Sequence, residues 1–375
     1  MTELYIGLMS GTSLDGVDAV LMTAGGPTTK MSLHGHVHKA FSLKLRRECL
    51  ALNSAGNDEI ARSALVANEI SQVYAQAVAQ LLLETTTAAS ALRAIGAHGQ
   101  TVRHRPGEFD TLGYTVQLIN GALLAELSGI DVICDFRSRD IAAAGQGAPL
   151  VPGFHASVFA RPGIPQAILN LGGIANITLL DGLHGVRGFD CGPGNTLLDA
   201  WCERHTGQAY DDEGRWAASG KIDATLLELL RADPFFRQPP PKSTGRDLFN
   251  TAWLEASLQK ASANSTPPQA ADVQATLAEL TVLAAADAIR EHLPQAHRVV
   301  VCGGGALNTS LMQGLALSLP TMEVIRTEAE GIPAMQVEAA AFAWLAHAFT
   351  HRLPGNCPDV TGATGGRILG CLYPR

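Results

Sequence analysis

The sequence lacks several patterns that would place the chain in common classes of protein. It has no basic run or arginine-rich arm, and its formal net charge is −8, so a nucleic-acid-binding role is not expected. It has no Gly-x-x-x-x-Gly-Lys-Ser/Thr segment, because its single Gly-Lys pair, Gly220-Lys221, is followed by Ile222. A P-loop enzyme is therefore excluded. The protein-kinase set of motifs is also missing.

Signs of a disulfide framework or a metal centre are equally scarce. The seven cysteines are an odd number and form no Cys-x-x-Cys pair, so we expect reduced thiols rather than disulfides or a thiolate zinc site. A predicted strand places His34, His36 and His38 on one face. Because zinc ligands usually converge from different elements, we interpret these histidines as a solvated strand face.

No targeting or membrane segment is predicted. The first residues, Met1-Thr-Glu, lack the basic start and apolar run of a signal peptide. The longest apolar helical stretch, near residues 339–348, is too short to span a bilayer. Together with the reduced cysteines, these features predict a cytoplasmic protein.

The chain is long and apolar enough for two folded domains. It has 375 residues, of which 46% are hydrophobic and 17% charged, as in globular rather than disordered proteins. The segment 142–153 is rich in Ala, Gly and Pro and marks a change of composition. We place the hinge between two halves near residues 130–150.

Residues 6–21 predict two short strands joined by a turn. Apolar residues stand at both ends, and between them lie Gly11, Thr12, Ser13, Asp15 and Gly16. A turn of this composition can bring backbone N–H groups and hydroxyls close to a phosphate, because glycine has no side chain in the way. An ordinary surface hairpin fits the same pattern.

Residues 166–180 repeat this layout of strand, glycine-containing turn and strand. Two halves that each begin with such a hairpin indicate a duplicated α/β domain with a cleft between the copies. After the second hairpin, Asn195 is expected to cap a helix that runs to about His205.

A third glycine-rich turn, Gly303-Gly-Gly-Ala-Leu-Asn308, follows a buried strand. It approaches the dinucleotide-binding pattern, but Asn308 stands where the third glycine belongs, and the turn lies near the C-terminus. A strand, glycine-rich turn and helix can equally hold a mononucleotide. Close packing of helix on strand is the structural alternative.

Asp190 is the best single candidate for acid–base chemistry. It ends an apolar segment just before Gly192-Pro-Gly194 and a predicted helix. A carboxylate in that position can face a cleft and accept a proton from a hydroxyl or water. A turn aspartate bonded to its own backbone explains the pattern equally well.

Further candidates come from polar residues at the ends of predicted strands and helices. The loop His98-Gly99-Gln100-Thr101 leaves a strand end, where ligands often bind in α/β folds. Arg137 and Arg139 could hold an anionic group or be solvated. Glu338 opens an apolar helix, where a first-turn glutamate is also favoured by the helix dipole.

Several motifs, in order, resemble the anhydro-N-acetylmuramic acid kinase family, and the resemblance covers essentially the whole chain. The motifs are Met9-Ser-Gly-Thr-Ser-Leu-Asp-Gly-Val-Asp18, Ala97-His-Gly-Gln-Thr-Val102, Gly188-Phe-Asp-Cys-Gly-Pro-Gly-Asn195, Pro241-Lys-Ser-Thr-Gly-Arg246, Cys302–Asn308 and Leu353-Pro-Gly-Asn-Cys-Pro-Asp359.

The resemblance implies an α/β fold of two ribonuclease-H-like domains, of the actin and hexokinase type, flanking an ATP cleft. The first domain would span 1–135 and be completed by about 352–375, and the second would span 136–351. Three turns would contact the nucleotide: Gly11, Thr12, Ser13, Leu14, Asp15, Gly16, Val17 and Asp18; then Gly172, Gly173 and Asn176; then Gly303, Gly304, Gly305 and Asn308.

The resemblance also implies a reaction. Water opens the internal bridge of 1,6-anhydro-N-acetylmuramic acid, and the freed oxygen at carbon 6 takes the γ-phosphoryl group of ATP in the presence of Mg²⁺. Asp190 would be the base that activates the water. The sugar would contact His98, Gly99, Gln100, Thr101, Arg137 and Glu338. The family leads us to expect a homodimer in cell-wall recycling.

Some features depart from this pattern or stay open. Met9 stands where related sugar kinases usually carry a metal-associated aspartate, so Asp15 or Asp18, or the phosphates alone, would hold Mg²⁺. The segment Lys242–Arg246 fits a substrate loop or a structural loop. A kinase for another sugar, or an ATP-binding sensor without a sugar substrate, remains the alternative function.

Overall fold

The computed structural model describes residues 2–11, 13–24, 31–183, 185–245, 247–263 and 267–375. The strands are β1 Glu3–Met9, β2 Gly16–Ala24, β3 Ser32–Ala40, β4 Leu92–Ala97, β5 Gln100–Pro106, β6 Gly113–Leu118, β7 Val132–Cys134, β8 Gln166–Leu171, β9 Ile174–Leu180, β10 Val186–Pro193, β11 Arg298–Cys302, β12 Glu323–Arg326 and β13 Cys371–Tyr373.

The helices alternate with these strands along most of the chain. They are α1 Leu43–Ala51, α2 Glu59–Glu84, α3 Gly121–Ser128, α4 Ser138–Ile141, α5 Val151–Phe159, α6 Asn195–Thr206, α7 Arg215–Ser219, α8 Ala224–Arg231, α9 Thr251–Ser262, α10 Ala270–His292, α11 Thr309–Ser318, α12 Val337–Thr350 and α13 Pro358–Thr361. Within the described part of the chain, none of them is both long enough and apolar enough to cross a membrane.

The chain forms two compact units. One comprises Met1–Val158 with Gln336–Arg375, and the other comprises Phe159–Met335. The predicted limits at residues 135 and 352 both lie inside the first unit. The second limit differs because α12 packs on β1, β2 and β4 and therefore belongs with the strands of the first unit. A boundary read from a change of composition does not detect that packing.

The first unit is built on a six-stranded sheet in the order β13-β7-β4-β1-β2-β3. Strand β2 is antiparallel to both β1 and β3, whereas β1, β4 and β7 are parallel to one another. Strand β13 adds an antiparallel edge, and β5 and β6 form a separate hairpin. Apolar side chains of the first strands and of α2 form the core on one face of the sheet.

The second unit repeats this topology with β10-β9-β8-β11-β12. Strand β9 is antiparallel to β8 and β10, and β8, β11 and β12 are parallel. When the separate hairpin β5–β6 and the added edge strand β13 are set aside, both sheets have the strand order 3-2-1-4-5 along the chain, with only the second strand reversed. That is the ribonuclease-H-like arrangement, so the predicted fold class and the predicted duplication are confirmed.

Helix α12 lies unusually close to the first sheet, over a pair of glycines. Gly7 on β1 stands opposite Gly96 on β4 in the parallel ladder. A Cβ atom added at Gly7 would lie 1.9 Å from the carbonyl oxygen of Ala339, and one at Gly96 would lie 2.0 Å from that of Phe342. The helix can approach this far only because neither strand has a side chain there.

Candidate functional site

The first predicted phosphate turn joins β1 to β2 in the first unit. The Leu14 N–H donates to the Gly11 carbonyl over 3.3 Å, and Leu14 adopts a positive φ of 57°. Asp15 is exposed, and its Oδ1 accepts hydrogen bonds from the Ser13 hydroxyl at 2.7 Å and the Gly16 N–H at 3.0 Å. The turn is therefore braced by its own aspartate, whose second carboxylate oxygen has no hydrogen bond to another described residue.

Asp18 is the third residue of β2, the strand that follows this turn. Its Oδ1 contacts His36 Nε2 at 2.8 Å and His38 Nδ1 at 3.2 Å, so two of the three histidines of β3 pair with a carboxylate. Val17, also predicted at the nucleotide site, buries its side chain completely and can offer a ligand only its backbone. Thr12 lies outside the described residues.

His98 and Arg137 form a hydrogen-bonded chain that ends at the first turn. Arg137 donates to His98 Nε2 from Nε at 3.1 Å and from Nη2 at 2.9 Å. Because guanidinium only donates, His98 Nε2 must accept, and its Nδ1–H then donates to the Ser10 carbonyl at 3.3 Å. Burial and the charge of Arg137 hold the pKa of His98 well below its usual range. His98 is thus a neutral, buried group that orients Arg137.

Gly99 and Gln100 also brace the first turn, although Gln100 and Thr101 begin strand β5 and are not part of a loop as predicted. Gln100 Nε2 donates to the Gly11 carbonyl at 3.1 Å, and the Ser10 hydroxyl contacts the Gly99 carbonyl at 3.2 Å. Thr101 Oγ1 accepts from Gln117 at 3.1 Å. Ser10 has a second partner, the Tyr74 hydroxyl at 2.7 Å, which sequence reasoning missed because Tyr74 lies far away on α2.

Glu338 stands in the first turn of α12, as predicted, and shares its surroundings with Arg137 and Asp18. Burial raises the pKa of its carboxyl, the positive charge of Arg137 opposes that effect, and the negative charge of Asp18 adds to it. Arg137 also donates from Nη1 to the Gly147 carbonyl at 2.8 Å. The first unit therefore brings together one guanidinium and two carboxyl groups near the predicted turn, whereas Arg139 is exposed.

Replacing Glu338 with glutamine is expected to stabilise the chain at neutral pH. Because the folded-state pKa is raised, Glu338 contributes stability below the ordinary value of 4.5, and that contribution is lost as the pH rises through the raised pKa. Glutamine stays neutral throughout. Thermal unfolding should therefore show a gain for Glu338→Gln near pH 7 that shrinks on acidification. Glu126→Gln, at an exposed position, is the control. If Glu338→Gln is no more stable than this control at pH 7, the raised pKa of Glu338 is contradicted.

Asp190 lies on β10 of the second unit and is hydrogen-bonded to the segment that begins at Lys242, for which the sequence allowed either a substrate-binding or a structural role. Thr244 N–H donates to Asp190 Oδ2 at 2.9 Å, and Asp190 N–H donates to the Lys242 carbonyl at 3.1 Å. Burial raises the pKa of the Asp190 carboxyl, while the Thr244 N–H and the Ser243 hydroxyl, which favour the charged form, lower it. The segment 242–245 is thus a positioning loop for this carboxylate; Arg246 lies outside the described residues.

Lys242 anchors that loop. Its Nζ donates to the carbonyls of Phe235 at 3.2 Å and Phe236 at 3.4 Å, and it lies 4.7 Å from the centroid of the Phe235 ring. Burial lowers the pKa of Lys242. The ammonium group therefore bonds to the protein itself and fixes the start of the loop to residues 235 and 236.

Three polar side chains form a row across the first three strands of the second sheet. Asn176 stands opposite Asn170 on one side and opposite Asp190 on the other. Directly opposed residues lie on the same face of a sheet, so the predicted phosphate residue Asn176 and the predicted base Asp190 are neighbours. Asn170 was missed, although it immediately precedes the predicted Leu171-Gly-Gly turn.

The glycine-rich turn after β11 packs directly on the end of this row. Gly303 has a φ of 79°, and a Cβ atom there would lie 2.4 Å from Asn170 Oδ1 and 2.8 Å from the Leu171 carbonyl. Gly305 packs on the Leu171 side chain, whereas Gly304 is exposed, and a Cβ atom added there would come no closer than 3.5 Å to any described atom outside its chain neighbours. Close packing therefore explains Gly303 and Gly305, and Gly304 is the position that is open to a ligand.

Asn308 closes the same turn as a helix cap. Its Oδ1 accepts the N–H of Leu311 at 3.1 Å and so satisfies a free donor at the start of α11. Its Oδ1 also lies where a side chain at Gly214 would collide. Asn308 thus fixes the direction of the helix that leaves the turn.

The β8–β9 turn uses its carbonyl groups to hold the start of α6. The Gly172 carbonyl accepts the N–H of Asn195 at 2.8 Å, and the Gly173 carbonyl accepts those of Gly194 and Thr196, both at 3.0 Å. These bonds occupy the helix N-terminus that would otherwise attract an anion. The predicted capping role of Asn195 is wrong: it is the first helical residue, and its Nδ2 donates to the Leu171 carbonyl at 3.0 Å.

A cavity of about 1050 Å³ opens on the other side of β10. Phe189 and Cys191, which alternate with Asp190 along the strand, line it together with Lys242 and residues of α8 and α10. Apart from Lys242, whose segment fitted either a substrate loop or a structural loop, no residue predicted for catalysis or ligand binding is among the described residues that line it. The cavity and the Asp190 carboxylate therefore occupy opposite faces of the strand.

Comparisons with known proteins identify the family. A family model described as "Anhydro-N-acetylmuramic acid kinase" matches residues 3–375. The protein of that name from Variovorax paradoxus is 54% identical, covering 99% of each chain. The one from Bordetella petrii is 56% identical, covering 99% of this chain and 96% of its own.

Likeness to solved structures is much weaker. The activator of 2-hydroxyisocaproyl-CoA dehydratase from Clostridium difficile, with bound ADPNP, matches 94% of this chain and 96% of its own, at 12% identity and a TM-score of 0.47. A likeness at this level identifies neither a shared ligand nor a shared activity. The full-length matches above instead confirm the resemblance first drawn from the motifs. The chain belongs to the anhydro-N-acetylmuramic acid kinase family and is accordingly a phosphotransferase with an alcohol group as acceptor.

Proposed function

We propose that this chain uses ATP to phosphorylate 1,6-anhydro-N-acetylmuramic acid while hydrolysing its internal bridge. The products are N-acetylmuramic acid 6-phosphate and ADP, and the setting is cytoplasmic recycling of cell-wall sugar. The observation that supports this most directly is the Asp190 carboxylate, oriented by the Thr244 N–H at 2.9 Å in a chain that matches the family over its full length.

Asp190 acts as the general base. Its carboxylate takes a proton from water, and the water oxygen bonds to carbon 1 of the sugar. The bond between carbon 1 and the bridging oxygen breaks, and that oxygen keeps the electron pair. It then bonds to the γ-phosphorus of ATP, and ADP leaves. A positioned base of this kind accelerates a reaction by about 10²–10⁴-fold; the remainder comes from positioning and from neutralising phosphate charge.

The nucleotide is bound mainly by backbone groups. In the first unit, the turn that contains Gly11, Ser13 and Gly16 would contact phosphates; in the second unit, Gly172, Gly173 and exposed Gly304 offer backbone without side chains. Asn176 would contribute its amide beside Asp190, because the two residues are directly opposed in the sheet. The role of Thr12 stays a prediction.

Asp15 fits Mg²⁺ better than Asp18 does. Mg²⁺ is usually held through one or two carboxylates, with waters and substrate phosphates completing its six oxygen ligands. Among the described residues, exposed Asp15 bonds only within its own turn, whereas half-buried Asp18 has its Oδ1 in contact with the imidazoles of His36 and His38. When bound, Mg²⁺ would neutralise phosphate charge, and Met9 then needs no metal role.

The sugar is bound by the polar cluster of the first unit. Arg137 is held rigidly by His98 and the Gly147 carbonyl, and it retains N–H groups for the carboxylate that a muramic acid carries. Glu338 accepts hydrogen bonds from sugar hydroxyls.

We further propose that the chain forms a homodimer. We also propose that it does not bind nucleic acid, because its net charge is −8.

A product assay tests the proposal. The chain is incubated with 1,6-anhydro-N-acetylmuramic acid, ATP and Mg²⁺, and the mixture is analysed by mass spectrometry. We expect a 6-phosphorylated sugar and ADP in equal amounts, with little ADP when the sugar is left out. Sugar-independent ADP release with no phosphosugar from folded protein would contradict the proposal and favour a sensor.

A further inference from the structure

Three side chains with metal-binding atoms meet where β1 begins and α12 ends, at the opposite ends of these elements from the first turn and Glu338. They are Glu3, the first residue of β1, and His347 and His351 at the C-terminal end of α12. One ligand atom from each lies within 4.8 Å of the others. His351 Nε2 is 2.7 Å from Glu3 Oε2, and His347 Nδ1 is 4.0 Å from the same oxygen.

His347 supplies an independent sign that a ligand belongs there. Its side chain is more than nine-tenths buried, since the residue is 6% exposed. Its buried Nδ1 nevertheless has no hydrogen-bond partner among the described residues. A buried polar atom normally has such a partner, so an unpartnered nitrogen directed at a carboxylate calls for one.

The protein holds these groups in a geometry suited to a cation. Histidines four positions apart lie on the same face of a helix, and here the ring centroids are 4.4 Å apart. The C-terminal end of a helix is the negative end of its dipole and favours positive charge. The Tyr5 hydroxyl donates to Glu3 Oε2, the oxygen nearest both histidines, at 2.6 Å and contacts the Thr350 hydroxyl at 2.7 Å, so it helps to fix the position of the carboxylate.

We propose that Glu3, His347 and His351 bind a divalent transition-metal ion of the zinc class, with water completing an open coordination sphere. Two imidazole nitrogens and one carboxylate oxygen suit Zn²⁺ and its neighbours in the first transition row. Mg²⁺ and Ca²⁺ take oxygen ligands and are not expected here. The site is therefore distinct in chemistry from any Mg²⁺ that accompanies ATP.

The metal ties the first strand to the end of α12. Glu338, at the other end of that helix, is one of the groups proposed to bind the sugar. A metal that binds only the folded chain stabilises it in proportion to its concentration relative to its dissociation constant. The expected role of the metal is therefore to hold α12 on the sheet rather than to take part in phosphoryl transfer.

Metal titration of the untagged full-length chain, stripped with a chelator, tests this inference. Zn²⁺ added without nucleotide should bind in one calorimetric step at one ion per chain and raise the unfolding temperature. Co²⁺ as a spectroscopic substitute should give the visible bands of a low-coordinate site. Mg²⁺ at the same concentration should do neither.

His351→Gln locates the site, with His38→Gln as its matched control. The two histidine side chains are similarly exposed, at 46% and 41%, and His38 lies beside another carboxylate, Asp18. His351→Gln should weaken Zn²⁺ binding at least tenfold and abolish the Co²⁺ bands, whereas His38→Gln should leave both unchanged. Absence of stoichiometric binding by the unmodified chain, or full binding by His351→Gln, would overturn the proposal. Neither outcome depends on whether the chain phosphorylates a sugar.

Discussion

Replacing Asp190 with asparagine is expected to lower kcat by about 10²–10⁴-fold, the usual contribution of a general base. The asparagine Oδ1 can still accept the Thr244 N–H that now reaches Asp190 Oδ2 at 2.9 Å, so the positioning loop should stay in place. What the variant loses is the ability to take a proton from water. Binding of sugar and nucleotide should change little.

Steady-state kinetics and calorimetric titration of the sugar separate these two effects. Asp212→Asn makes the same chemical change at an exposed position of the second unit and should behave like the unmodified chain. Because burial raises the pKa of Asp190, the acid limb of the kcat profile should lie above pH 3.8, the ordinary value, and it should disappear in Asp190→Asn. Unaltered turnover in Asp190→Asn would remove this residue from the role of base.

Replacing Gly7 with alanine is expected to destabilise the first unit by about 3 kcal/mol or more, the upper end of the usual cost of overpacking a core. The new Cβ would lie 1.9 Å from the Ala339 carbonyl oxygen and 2.6 Å from the Ala343 nitrogen. Both are helix backbone atoms, which cannot swing aside as a flexible side chain does. Helix α12 would have to move off β1 and β4.

Thermal unfolding followed by circular dichroism measures that cost. A loss of this size corresponds to roughly 6–12 °C in Tm for a unit of about 200 residues. Gly56→Ala is the control, because its Cβ would meet only the flexible Arg62 side chain, at 3.5 Å, and the residue is exposed. If Gly7→Ala unfolds at the same temperature as the control, the close approach of α12 to the sheet is wrong.

The duplicated fold could be predicted because its signals are local. Apolar residues on both sides of a glycine-containing turn mark β1–β2 and β8–β9, and the structure has both hairpins at the start of equivalent sheets. The three candidate turns could be located for the same reason, because each follows the end of a strand and strand ends can be read from the sequence. Asp190 was singled out by the glycines that follow it, and the structure places it inside β10, which continues to Pro193.

The rest depended on contacts between distant residues. Nothing near Glu338 shows that α12 packs on the first sheet, so the predicted boundary at residue 352 fell beyond that helix. Likewise, 54 residues separate Asp190 from Thr244, and the hydrogen bond that joins them is invisible in either segment alone. The role of His98 could not be predicted either. Only its burial and its hydrogen bond to Arg137 show that it positions the arginine and does not bind a ligand directly.

Asn195 illustrates how a local rule fails when tertiary structure supplies the same bond. Asparagine before a helical segment usually caps it, but here the carbonyls of Gly172 and Gly173 already satisfy the first N–H groups of α6. The side chain is free to donate to Leu171 instead. The sequence therefore located the helix correctly and assigned the wrong role to its first residue.

The most direct test of the account is the product assay run in water enriched in heavy oxygen. Hydrolysis of the anhydro bridge places one solvent oxygen on carbon 1, whereas direct phosphorylation of an existing hydroxyl places none there. We expect mass spectrometry to find N-acetylmuramic acid 6-phosphate that carries one solvent oxygen, located on carbon 1 by fragmentation, and far less of it with Asp190→Asn. A phosphorylated sugar without solvent oxygen, or ATP consumption without a phosphosugar, would contradict the coupled reaction.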